Sequence, residues 1–79
     1  MNVKEAKKMY QKGYAERTKQ EYENALAQIR GACQNGVSLI FIPYANLCPA
    51  AFMLLEEDGY VINGPFPKTD IYEISGWQE

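Results

Sequence analysis

Aromatic rings placed near cations are the chemistry-bearing pattern in this chain. Tyr10 and Tyr14 lie one helical turn apart, and Arg17 follows one turn later on the same face. In the stretch NGPFPKTD, Asn63 to Asp70, Phe66 stands between Pro65 and Pro67, with Lys68 and Thr69 immediately after. Trp77 lies near the end of the chain. A ring can hold a base by stacking while a cation, hydroxyl or amide holds a phosphate. Tyr10, Tyr14, Arg17, Phe66, Lys68, Thr69 and Trp77 are therefore candidate contacts for a small anionic ligand. The structural alternative is that Tyr10 and Tyr14 are oligomer contacts and that Trp77 closes the edge of the core.

Catalytic equipment is absent from the sequence. There is no histidine and no glycine-rich phosphate loop. Glu56, Glu57 and Asp58 are the only dense carboxylates, and consecutive residues at a helix end do not converge on one metal. Cys48 precedes a proline near a helix start, a setting that can lower a thiol pKa, but no base accompanies it. The expectation is a binding protein with no catalytic residue, no metal and no cofactor.

Seventy-nine residues make one domain. A chain of this size buries only about 60% of the surface its unfolded form exposes, and small domains usually gain stability from a staple or a partner. Two cysteines without CxxC spacing, Cys33 and Cys48, fit free, buried thiols in a reducing compartment. Self-association is then the expected source of extra stability. The charged start, MNVKEAKKMYQKGY, is unlike a signal peptide, and no apolar run reaches membrane-spanning length. Net charge is −2 but uneven: residues 1–19 carry six basic groups against Glu5 and Glu16, and residues 20–79 carry Arg30 and Lys68 against eight acids. Opposite signs in the two parts suit attraction between subunits or an anion on the basic helix, and for most of these lysines a solvated helix face is the plainer reading. Long nucleic acid is a poor candidate partner and none is expected, because duplex readers present a dominant basic patch.

The elements follow from periodicity. Residues 3–35 read as helix, with Tyr22, Leu26, Ile29 and Cys33 as a core stripe and Val3, Ala6, Tyr10, Tyr14 and Arg17 as a second one. Gly13 and the polar RTKQE between the stripes predict a bend or frayed turn. Gly36 closes this helix, and VSLIFI (37–42) reads as a buried central strand ended by Pro43. Pro49 opens a second helix to Asp58, closed by Gly59. YVIN and IYEIS are hairpin strands, and the seven residues between them exceed the usual loop length, so the loop projects with Phe66 held extended. The result is a small α+β domain of order α-β-α-β-β, with a long N-terminal helix, an antiparallel sheet and a C-terminal hairpin. Segment 1–20 is placed at an oligomer or partner contact, and 22–77 forms the α+β core.

Ile29, Ala32, Cys33 and Gly36, then Leu55, Gly59, Tyr60 and Ile62, then Tyr72, Ile74, Ser75 and Trp77 form a pattern over about residues 22–77. This pattern resembles a set of small proteins encoded by tailed bacteriophages. Gly76 before Trp77 departs from it, and a bulge that re-aims the indole is expected there. The resemblance implies a viral protein acting in the cytoplasm of a bacterial host. It leaves three functions open: an oligomeric sponge that sequesters a cyclic nucleotide immune signal, a virion or assembly accessory, and an inhibitor that binds a host protein.

Overall fold

The computed structural model describes residues 1–77. Helix α1 (Val3–Gln34) is one uninterrupted rod, about 48 Å long at 1.5 Å per residue. Asn2 caps it: its side-chain oxygen accepts the amide hydrogen of Glu5 at 2.8 Å, which satisfies one of the free donors of the first turn. The expected bend at RTKQE does not occur. Within this stretch Arg17, Thr18 and Glu21 bond to the segment that leads into the next helix, as described below.

Both helices end in the same way. Beyond α1, Val37 donates to the Ala32 carbonyl and Gly36 to that of Cys33, with Gly36 at φ 70. Beyond α2 (Pro49–Glu57), Tyr60 donates to Leu55 and Gly59 to Glu56, with Gly59 at φ 97. Each pair is the 6→1 and 5→2 bonding that a left-handed residue after a helix permits. Gly36 and Gly59 therefore end the helices as their sequence positions predict.

Three strands, β1 (Ile40–Pro43), β2 (Val61–Asn63) and β3 (Ile71–Ser75), form one antiparallel sheet in the order β1-β3-β2. Ile40 and Ile62 flank Ile74, and Ile42 pairs with Tyr72. These side chains form the inner face, on which Ala25 and Ile29 of α1 and Ala51 and Leu55 of α2 pack as one core. The element order and fold class match the sequence reading. The placement of the first strand does not: residues 37–39 lie outside the sheet, and β1 is an edge strand, with β3 at the centre. An apolar run such as VSLIFI suggests cover on both faces, yet Phe41 points outward and is 55% exposed. Pro43 fits an edge, where a missing N–H costs no ladder bond.

Cys48 is buried but Cys33 is exposed, so only one of the two free thiols belongs to the core. β3 ends at Ser75, and no bulge is needed to turn the indole. Gly76, at φ 117, swings the chain so that Trp77 meets Tyr60 edge-on with ring centres 6.0 Å apart. No helix among the described residues is long and apolar enough to cross a membrane.

Candidate functional site

The middle of α1 holds the start of α2. Cys48, the residue that caps α2, donates its amide hydrogen to Glu21 Oε1 at 2.6 Å. Ala50 donates to the Tyr14 hydroxyl at 3.2 Å. Pro49 lies between them with no N–H to satisfy. Thr18 Oγ1 lies 3.4 Å from the Cys48 sulfur while donating to the Tyr14 carbonyl. Side chains on one face of α1 thus satisfy two backbone amides at the start of another helix.

Arg17 binds this arrangement to the rest of the body. Its Nε lies 2.8 Å from Glu21 Oε2, and a terminal nitrogen donates to the Ala45 carbonyl at 3.2 Å. Ala45 belongs to the 3-10 turn Tyr44–Asn46 that follows β1. Burial works to raise the Glu21 pKa, but the bonds from Arg17 and from the Cys48 amide outweigh it. The carboxyl is held below its ordinary value, and the Arg17 pKa is raised by the same pair.

Arg17, Tyr44, Ala45, Cys48, Pro49 and Tyr72 line a cleft of about 240 Å³, where the Tyr44 and Tyr72 ring centres are 5.7 Å apart. A cation, two rings and a helix N-terminus suggest an anion site. The Cys48 and Ala50 amides of that N-terminus are already engaged, however, and the Glu21 carboxylate supplies the negative charge that the helix dipole favours. An entering phosphate would meet that carboxylate. In this geometry Arg17 joins structural elements.

The other residues expected to clamp a ligand are dispersed over the protomer. Tyr10 and Tyr14 stack at 5.7 Å between ring centres, but Tyr10 is 68% exposed beyond the end of the body. Trp77 donates its indole N–H to the Val37 carbonyl at 2.9 Å, closing the far end of the core. Phe66, Lys68 and Thr69 lie in the loop joining β2 and β3. Phe66 opens a turn within this loop. Phe66 O accepts from the amides of Thr69 and Asp70, and the Phe66 amide donates to Ile71 O, so the segment curls into a compact turn. Asp70, at φ 50, has its carbonyl bonded to the Tyr44 amide at 2.7 Å. Among the described residues, no hydrogen bond, ion pair or ring contact links Phe66, Lys68 or Thr69 to Tyr10, Arg17 or Trp77.

What the site lacks in convergence it gains in reach. Every residue from Met1 to Gly13 is exposed, so the first three turns of α1 extend about 16 Å past the body. Val3, Ala6, Lys7, Tyr10 and Gln11 line a shallow groove along this free stretch. Lys4, Lys7, Lys8 and Lys12 against Glu5 give it a local +3. The sequence reading separated this stripe from the core stripe but missed Thr18 and Glu21 as the fixing point. The signal was available, since Arg17 and Glu21 stand at the i,i+4 spacing of a helical ion pair. Groups of three or more metal-ligating side chains do not occur among the described residues. Comparison with protein-family models, curated proteins and solved structures finds no match for this chain.

Proposed function

We propose that this chain is a non-catalytic docking protein whose working part is the free N-terminal stretch of α1. One observation carries the reading: residues 3–13 are helical, bear an apolar stripe, are exposed at every position and, among the described residues, make no hydrogen bond or ion pair with another element of the protomer. Short helices are marginal in water unless an apolar face is packed. A stretch that keeps Val3, Ala6 and Tyr10 exposed at helical spacing is suited to a groove or face on another protein. The flanking lysines select an acidic surface. In a bacterial cell infected by a tailed phage, the setting that the sequence resemblance implies, such a helix suits an assembly accessory or an inhibitor of a host protein. A photocrosslinking residue placed at Tyr10, in cells that make the protein, tests this. Discrete protein adducts are expected at position 10, and their absence would overturn the reading.

The nucleotide-sequestering function remains a second reading, favoured by the loop that follows β2. Phe66, Lys68 and Thr69 are exposed on a turn that its own backbone bonds hold in shape, so little ordering entropy would be lost on contact. Calorimetry with cyclic di- and trinucleotides decides it. Lys68→Glu and Phe66→Ala should each weaken binding at least tenfold, about 1.4 kcal/mol, with folding intact. A panel in which nothing binds the parent protein removes this reading.

A further inference from the structure

Two surfaces of this molecule are exposed and partly apolar among the described residues, and they complement each other. The first is the free stretch of α1, apolar along Val3, Ala6 and Tyr10 and locally +3. The second is the outer face of the sheet. Phe41 and Val61 are 55% and 51% exposed there, with Pro43 also exposed and Ile71 half-buried beside them. Glu73 stands in the middle of this face, flanked in register by Phe41 and Asn63. No strand residue on the face is basic. Antiparallel sheets that turn one face to water usually make that face polar, and this one sets four apolar residues, Phe41, Pro43, Val61 and Ile71, beside Asn63, Ser75 and a single acid.

We infer that the surface on which α1 docks is the outer sheet face of a second copy of this chain, exchanged reciprocally in a twofold dimer. The inference rests on the docking-helix reading and names its partner. Charge selects the pairing. Two free stretches laid against each other would bring +3 against +3. Residues 14–79 carry four basic groups against nine acids, a net −5, so a free stretch on a partner's body is attractive. Topology permits the exchange in both directions. α1 packs on the inner face of its sheet, so the bare face lies on the opposite side. A twofold axis in the plane of the sheets places one free stretch over each bare face and closes the assembly. The exchange also doubles a contact that three helical turns alone would leave small, towards the about 800 Å² per partner of a standard interface. Phe41, in an apolar run that reads as buried on both faces, would then be covered.

The full-length protein should sediment at twice the protomer mass across 1–100 µM. A photocrosslinker at Tyr10 should label the partner within residues 41–43, 61–63 or 71–75. Lys7→Glu or Glu73→Lys should each raise the dimer dissociation constant at least tenfold, and the two changes combined should restore it. Circular dichroism melts of the single variants separate this effect from misfolding, and Phe41→Ser supplies a third, uncharged disruption. A monomer at 100 µM overturns the inference, as does a dimer labelled from position 10 to position 10 or onto α2. A monomer that still gives heavier adducts in cells leaves the docking-helix reading in place with another partner. No adduct of any mass overturns both.

Discussion

Residues 3–13 and residues 14–34 belong to the same helix and make the same backbone ladder, but their surroundings are opposite. The longer part buries Ala25 and Ile29 in the core and commits Tyr14, Arg17, Thr18 and Glu21 to the start of α2 and the 3-10 turn. The shorter part is exposed at every residue. Backbone hydrogen bonds alone contribute little to a helix in water, and packing of one face supplies most of its stability. The anchored part is therefore stable within the protomer, whereas the free part depends on what it meets.

Changes in the body should have the largest effects. Leu55 and Ile74 are fully buried, so Leu55→Ala or Ile74→Ala should cost about 2–5 kcal/mol by transfer and cavity terms, read in urea or thermal melts. Met9→Ala, on the free stretch, should leave the protomer within about 0.5 kcal/mol of the parent. A comparable loss at Met9 would mean that the free stretch packs on its own body.

Gly64→Ala comes next. A Cβ there would lie 2.9 Å from the Ile71 carbonyl oxygen, at a backbone φ of 109. Strain and clash should cost more than about 1 kcal/mol, with the damage confined to the hairpin. A melt unchanged from the parent would show that the turn after β2 is not held as described.

The acid limb of stability tests the anchor. Because the Glu21 pKa is lowered by folding, its contribution is fully present above the unfolded value of 4.5 and is lost as pH falls through the lower folded pKa. Glu21→Gln should reduce stability at neutral pH and flatten the decline below 4.5. An unaltered acid limb would remove Glu21 from the account. The smallest effect is expected at Gly13, where a Cβ would meet nothing within 4 Å. Gly13→Ala should raise helicity at 222 nm and stabilise α1 by up to about 1 kcal/mol, sharpening the contrast by stiffening the junction between the two parts.

The sequence makes some of this legible and hides the rest for physical reasons. Gly36 and Gly59 mark their helix ends because a left-handed backbone position leaves a local signature, and strand alternation in IYEIS marks β3. Strand order is not local. Whether β1 or β3 is central depends on which strand gains two partners, and Phe41 reads as buried because composition records an apolar residue without recording its cover. RTKQE reads as a weak point because its partners, Ala45 and Cys48, lie 28 and 27 residues away from Arg17 and Glu21 in the chain. The candidate ligand residues share a composition that suits a base and a phosphate, but composition does not determine convergence, and the protomer sets Trp77 and Tyr10 on separate structural elements.

Amide hydrogen exchange resolved along α1 tests the central claim most directly, because it reads both parts of one helix in a single experiment. In dilute protein carrying Tyr10→Glu, amides 7–13 should exchange rapidly while those of Ala25 to Arg30 exchange only through global unfolding. In the parent protein under associating conditions, amides 7–13 should slow at least a hundredfold, about 2.7 kcal/mol. Protection of residues 7–13 equal to that of residues 25–30 in a monomeric sample would contradict the account.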